Sequence, residues 1–252
     1  MYYSADIGVI GGSGLYELGK DVRRIEIDTP YGKPSDSISL MDIEGRKVAF
    51  LPRHGKGHTL SPAEVNYRAN IDAMAQLGVK AIISPNCVGS LREDYAPGDF
   101  VVTDQYINMT SGRKDTFFQS PQVEHLSSAE PYDKCLRQYA MEEGVKMGHT
   151  MHDGGTTVVI NGPRFSTKAE SRMFSIIGGD LVNMTQYPEA YLCQEKNIPV
   201  VNIALVTDYD AGLKGQPGIP PVTNEQVLKV LADNTEKMKD LIFRMIERIG
   251  RK

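Results

Sequence analysis

The chain reads as an α/β protein: a single domain over residues 1–252, built on a mostly parallel or mixed sheet flanked by helices. Three observations predict this. Short apolar runs, such as Ile7–Ile10 and Val200–Val206, alternate with segments of helical period. Turns rich in Gly or Pro separate them. No repeat, low-complexity tract or linker divides the 252 residues, a length that suits one large core.

The elements follow in order. Ile7–Ile10 is a buried strand that stops at Gly11-Gly12-Ser13-Gly14. Lys47–Leu51 is a second strand, leading into Pro52-Arg53-His54-Gly55-Lys56-Gly57-His58. Ser61-Pro62-Ala63-Glu64 has the form of a capping box with Pro at the first helical position, which predicts a helix from Ser61 to Leu77 that stops at Gly78. Val79–Ser84 is a strand ending in Pro85-Asn86-Cys87-Val88-Gly89-Ser90, and Asp99–Ile107 is strand-like. Ser111–Ser128 shows no period and reads as a long functional or interfacial loop. Asp133–Met147, Thr167–Ile177 and Glu189–Lys196 read as helices, and Thr156–Ile160, Asp180–Asn183 and Val200–Val206 as strands. Gly212–Pro221 is a Gly- and Pro-bearing flap. Thr223-Asn224-Glu225-Gln226 is a second capping box, opening a long helix with Val227, Leu231, Met238, Leu241, Met245 and Ile249 on one face.

Bulk composition excludes several classes. The net charge of −4 leaves no basic footprint for nucleic acid. Cys87, Cys135 and Cys193 are odd in number and widely spaced, so they indicate neither a disulfide framework nor a metal site, and a reducing cytoplasm fits. Met1–Asp6 lacks a signal-peptide pattern, and no apolar run approaches a membrane span.

The chemistry-bearing residues cluster after strands. Asp208 and Asp210 follow the run Val201–Leu205, and ligands of open α/β sheets bind at the carboxyl ends of strands. A carboxylate there accepts from an amino group, and with a pKa raised by burial it also donates to a leaving group. On spacing alone a solvated Asp turn serves equally well. The Gly-rich turn with Ser13 suits a phosphate cradle or a simple tight turn; it lacks both the dinucleotide fingerprint and the P-loop spacing. Arg53 and His54 offer donors to an oxyanion, or form a surface basic loop; no ligand spacing argues for a metal at His58. Phe165 offers an aromatic wall for a flat ligand or packs in the core. Arg164 and Glu170 read as a structural ion pair. Asn183-Met184-Thr185 ends a strand, with Thr185 suited to an anion and Met184 to a sugar. Together these residues suggest one site that holds phosphate beside a heterocycle.

In this order the residues resemble the methylthioadenosine phosphorylase branch of the trimeric purine nucleoside phosphorylase family. The matching segments are Gly11–Tyr16, Pro30–Asp36, Pro52–His58, Val65–Ile71, Gly89–Glu93, Gly98–Asp104, Gly162–Glu170, Asn183–Glu189 and Thr207–Asp210, nearly the whole chain. The resemblance implies a central mixed β-sheet flanked by helices, of nucleoside phosphorylase type. It implies phosphorolysis of S-methyl-5′-thioadenosine to adenine and 5-methylthioribose 1-phosphate, in purine and methionine salvage. The alternative is a purine nucleoside phosphorylase acting mainly on adenosine, inosine, guanosine or methylthioinosine. No cofactor or metal is expected, since inorganic phosphate is a co-substrate. Phosphate would be held by Ser13, Arg53, His54, Asn86, Cys87 and Thr185. Phe165, Asn183, Met184, Asp208 and Asp210 would hold base and sugar, with Asp208 as catalytic proton donor. His125, Val222, Asn224, Val227 and Leu228 would form the 5′-group pocket, His125 reaching the neighbouring subunit of a homotrimer, with pairing into a hexamer left open. Two departures stand out. Asn86-Cys87 replaces the usual Thr-Ala type of pair, and Asn224 stands where an apolar Val is found, which implies a hydrogen bond to a 5′-hydroxyl.

Overall fold

A long parallel strand, β5 (Ala81–Ser90), forms the centre of the sheet because its neighbours branch from it. The computed structural model describes residues 3–12, 22–213 and 218–249. β1 (Ile7–Gly11) runs parallel to the first half of β5, with Ile7 beside Ala81, and parallel to β4 (Arg46–Pro52) on its other side. β3 (Ile38–Ile43) and β2 (Arg23–Ile25) extend that edge antiparallel. β11 (Val200–Asp208) runs parallel to β5 along most of its length. β6 (Phe100–Val102) pairs antiparallel with β11 and parallel with β8 (Met151–Asp153). The far end of β5 pairs antiparallel with β10 (Leu181–Asn183), and from there the sheet continues through β9 (Thr156–Val159) to β7 (Gln105–Asn108). The described strands thus form one mixed sheet.

Helices cover both faces. On one, α2 (Lys134–Lys146) and α5 (Asn224–Ile249) bury Leu136, Ala140, Met238, Leu241 and Met245 against Ile7, Val9, Phe50, Ile83 and Ile203. On the other, α1 (Tyr67–Gln76) and α4 (Gln186–Glu195) pack Ile71, Met74, Ala190 and Leu192 on Ile10, Leu51, Ile82 and Val200. Both faces are apolar, which is why β5 and β11 read as continuous buried runs rather than alternating ones. α3 (Lys168–Ile176) carries the full capping box between Thr167 and Glu170.

Several boundaries differ from expectation. The Ser61 box closes only one turn: Ser61 N–H donates to Glu64 Oε2 at 3.0 Å. The helix itself starts at Tyr67, because the Asn66 side chain caps Ala69 N–H and also donates to the Tyr31 carbonyl, which fixes the chain at that point. The expected strand 99–107 is two strands, β6 and β7, in different branches of the sheet. β2, β3 and β8 lay unread in the sequence; β2 and β8 have three residues each at sheet margins, and β3, paired on both sides, lacks a continuous buried run. The predicted loop 111–128 is a loop. Part of the expected flap, residues 214–217, lies outside the described residues.

Candidate active site

The carboxyl ends of β1, β4, β5, β10 and β11, with the first turns of α5, surround one cavity of about 800 Å³. That is the place and size expected of a small-molecule site in such a sheet.

At one end sit the two acids. β11 carries a bulge, so that Val206 pairs with Val88 and Asp208 with Gly89. The irregularity lets the consecutive residues Thr207 and Asp208 both border the cavity. Asp208 Oδ2 accepts from the Thr207 hydroxyl at 2.7 Å, and Oδ1 from the Asp210 N–H at 2.8 Å. Burial pushes the Asp208 carboxyl up to about 6; the two hydrogen bonds oppose the rise and the Asp210 charge adds to it. Asp210 adopts φ 48, and its carboxyl is also raised by burial, against the nearby Ser166 and Ser171 hydroxyls. Its Oδ2 is buried without a partner among the described residues. The backbone of β5 approaches closely here: a Cβ on Gly89 would lie 2.9 Å from Asp208 Oδ1.

The opposite wall is built for an anion, though not as an open positive patch. Arg53, only 1% exposed, forms a two-pronged pair with Glu189, Nε to Oε2 at 2.7 Å and Nη2 to Oε1 at 2.9 Å. Nη2 also contacts the Ile10 carbonyl and Ser84 Oγ, and Nη1 the Pro85 carbonyl at 3.2 Å. Burial opposes the Arg53 charge, but the Glu189 carboxylate, with smaller contributions from Tyr67 and Cys87, outweighs it and raises the guanidinium pKa. Of the five guanidinium N–H groups, one on Nη1 stays unspent among the described residues. A network continues from Ser84, whose hydroxyl donates to Glu189 at 2.6 Å, through Asn202 to Gln186 and Tyr132. It ends on the site side at Asn183, whose Oδ1 accepts from the N–H groups of Thr185 and Gln186 and whose amide donates to the Cys87 carbonyl.

Both side-chain atoms of Asn86 are buried and unpaired among the described residues, and the residue borders the cavity. Orphan amides of this kind point to a ligand that supplies the missing bonds. Cys87 borders it too; burial and then the Asp208 charge push its thiol up to about 12, so it stays protonated. Thr185 caps α4 without spending its side chain on the helix.

Much of the remaining lining is apolar: Val88, Ile160, Val182, Met184, Phe165, Val227 and Leu231. Asn224 and Leu228 complete the outer wall from α5. Arg113, from the long loop, braces this wall by donating to the carbonyls of Met184 at 2.8 Å, Asn161 at 3.2 Å and Tyr187 at 2.5 Å.

Of the residues predicted from sequence, Arg53, His54, Asn86, Cys87, Phe165, Asn183, Met184, Thr185, Asp208, Asp210, Asn224, Val227 and Leu228 all border this one cavity. Ser13 lies outside the described residues. Val222 does not border this cavity among the described residues; its N–H is bonded to the Asp210 carbonyl at the turn before α5. His125 is exposed on the loop and does not border the cavity of its own chain. Arg164 and Glu170 form the expected ion pair at 2.6 Å.

The family model described as the phosphorylase superfamily matches residues 6–247. The chain belongs to that superfamily. It is 50% identical over 245 residues to the S-methyl-5′-thioadenosine phosphorylase of Thermofilum pendens, covering 96% of this chain and 92% of that one. It is 46% identical over 251 residues to that of Saccharolobus solfataricus, covering 98% and 91%. Among solved structures, methylthioadenosine phosphorylase from Schistosoma mansoni with adenine bound superposes with a TM-score of 0.93 at 36% identity, covering 99% and 93%. A variant of that protein, described as an adenosine/methylthioadenosine phosphorylase and bound to methylthioadenosine, gives 0.91 at 35%, covering 99% and 93%.

Within this phosphorylase-superfamily site, the sequence reading missed Glu189, Arg113 and the α5 residues Leu231, Ala232 and Thr235. Glu189 had one available signal: an arginine drawn into a core between strand ends needs a counter-charge. Which carboxylate supplies it is a matter of tertiary contact across 136 residues.

Proposed function

We infer that this chain is a phosphorolytic enzyme that cleaves S-methyl-5′-thioadenosine into adenine and 5-methylthioribose 1-phosphate. The observation that carries the reading is that one cavity brings together a buried raised-pKa acid, an anion-suited wall with an orphaned Asn86 amide, and an apolar lining. The names of its relatives and structural neighbours support it.

The chemistry follows from that layout. Departure of the purine leaves an oxocarbenium-like sugar, which a phosphate held at Arg53, His54, Asn86, the Cys87 backbone, Thr185 and Ser13 stabilises and attacks. The base leaves well when a proton neutralises its N7. Asp208 is the donor, since its burial keeps a proton available near neutral pH. Asp210 accepts from the 6-amino group. Phe165, Asn183 and Met184 contact base and sugar, and Asn224, Val227 and Leu228 the 5′ group. Inorganic phosphate is a co-substrate, and no cofactor takes part.

The assembly proposed is a homotrimer, with a dimer of trimers as its larger form. His125 supports it: it is exposed on a long loop and does not border its own cavity, as a residue serving a neighbour's site would be. The role is one in purine and methionine salvage in the cytoplasm, and no helix among the described residues is long and apolar enough to cross a membrane. A second reading, adenosine as main substrate, is favoured by Asn224, whose amide brings polarity to the 5′ wall.

The test is base release from methylthioadenosine, adenosine and inosine, each with and without phosphate. Phosphate-dependent release led by methylthioadenosine is the expected result. Release that ignores phosphate would make the protein a hydrolase, and release led by inosine would remove the amino-selective role of the acids.

A further inference from the structure

The anion wall carries less formal charge than its residue types suggest. The Arg53 cation is matched by the Glu189 carboxylate, both almost fully buried. The other basic side chain at that wall is His54, 7% exposed and stacked on His58 with ring centres 4.4 Å apart. Its Nδ1 lies 2.9 Å from the Leu60 carbonyl oxygen. A carbonyl only accepts, so Nδ1 carries the ring proton, and in the neutral imidazole Nε2 is left as an acceptor. Among the described residues Nε2 has no hydrogen-bond partner, and the side chain borders the cavity. The ring stays neutral: burial first, then the Arg53 charge and His58, lower its pKa to about 4 against the opposing Leu60 bond. Burial lowers His58 as well, so it adds no cation.

Resting on the phosphorolytic reading, we propose that His54 determines which oxyanion the site accepts: its Nε2 takes a hydrogen bond from a protonated oxygen, selecting anions that carry a proton at neutral pH. Hydrogenphosphate and hydrogenarsenate carry one. Sulfate has the same shape and charge and carries none, so one of its oxygens would face Nε2 lone pair to lone pair. Asn86 and Thr185 hold both donors and acceptors and adapt to either anion. His54 cannot, because Leu60 fixes its tautomer. No bond breaks in this step; the proton stays on the phosphate oxygen and is shared with the ring.

The experiment is phosphate-dependent adenine release from methylthioadenosine near neutral pH, with sulfate as competitor and arsenate as alternative co-substrate. Arsenate is expected to replace phosphate. Sulfate is expected to compete with an inhibition constant about tenfold or more above the KM for phosphate, the scale of one charge-assisted hydrogen bond. His54→Gln offers an amide donor instead, and in a variant whose melting profile is intact the gap narrows to about threefold or less. Sulfate competing as well as phosphate in the wild type would overturn the proposal, as would an unchanged gap in the folded variant. Should the variant not fold, the wild-type comparison decides alone. Release that needs no phosphate would instead overturn the underlying phosphorolytic reading.

Discussion

Replacing Asp208 with Asn separates what the acid does for the reaction from what its burial does to the fold. The carboxyl sits at about 6 rather than the ordinary 3.8, chiefly because burial disfavours its charged form. A raised folded-state value favours the folded chain fully only below 3.8, and that contribution is lost as pH rises through about 6. Above pH 7 the ionised Asp208 therefore destabilises the free enzyme by about 3 kcal/mol relative to low pH, at about 1.4 kcal/mol per pH unit. The Asn side chain removes this burden and keeps the local bonds. Its Oδ1 still accepts from Asp210 N–H, and its amide donates to Thr207 Oγ1, whose proton turns to the Val88 carbonyl 3.3 Å away. Denaturant melts across pH are expected to show the variant gaining on wild type, from under about 1 kcal/mol near pH 4 to about 3 kcal/mol above pH 7. Adenine release falls about 100- to 10,000-fold, the usual worth of a positioned acid. A variant that melts earlier than wild type at pH 8, or that releases adenine normally, refutes the reasoning.

Three further substitutions test the anion wall, the frame around the acids and the 5′ wall in turn. Glu189→Gln leaves the buried Arg53 cation unmatched and is expected to lower unfolding stability by about 3–5 kcal/mol, measured by urea denaturation, and to change the KM for phosphate. Gly89→Ala drives a methyl to 2.9 Å from Asp208 Oδ1 and 3.2 Å from Asp210 Cβ; displaced acids lower kcat/KM on the order of 100-fold, with a smaller effect on melting. Asn224→Val removes the polar group from the 5′ wall, and the kcat/KM ratio of methylthioadenosine to adenosine rises about tenfold or more.

The site was more legible in the sequence than the fold around it. Arg53, Thr185 and Asp208 each sit at or just past a strand's carboxyl end, a relation visible from local pattern alone; Asn86 lies within β5, which runs on to Ser90 beyond the expected end at Ser84. α2 and α3 were readable to within a residue because Asp133 and Thr167 cap them with their own side chains. α1 was misplaced because Asn66 is fixed by Tyr31, a contact across 35 residues that no local pattern encodes. The break between β6 and β7 was hidden for a related reason. β6 is apolar and Tyr106-Ile107 of β7 prolong its strand-like pattern, and only their partners, β11 and β9, send them to different branches.

The two ends of the cavity solve opposite electrostatic problems with the same means, burial. At the base end, desolvation acts on Asp208 with no cation beside it, so the group holds its proton and becomes an acid. At the anion end, desolvation acts on Arg53 with a carboxylate beside it, so the group holds its charge and becomes a fixed donor. Exchanging these environments would disable both ends. A cation beside Asp208 would strip its proton, and Arg53 without Glu189 would lose the guanidinium geometry that leaves one N–H for the ligand. The Glu189 pair and the lone Asp208 are therefore parts of one requirement: an incoming anion and a departing base need donors of different kinds within one cavity.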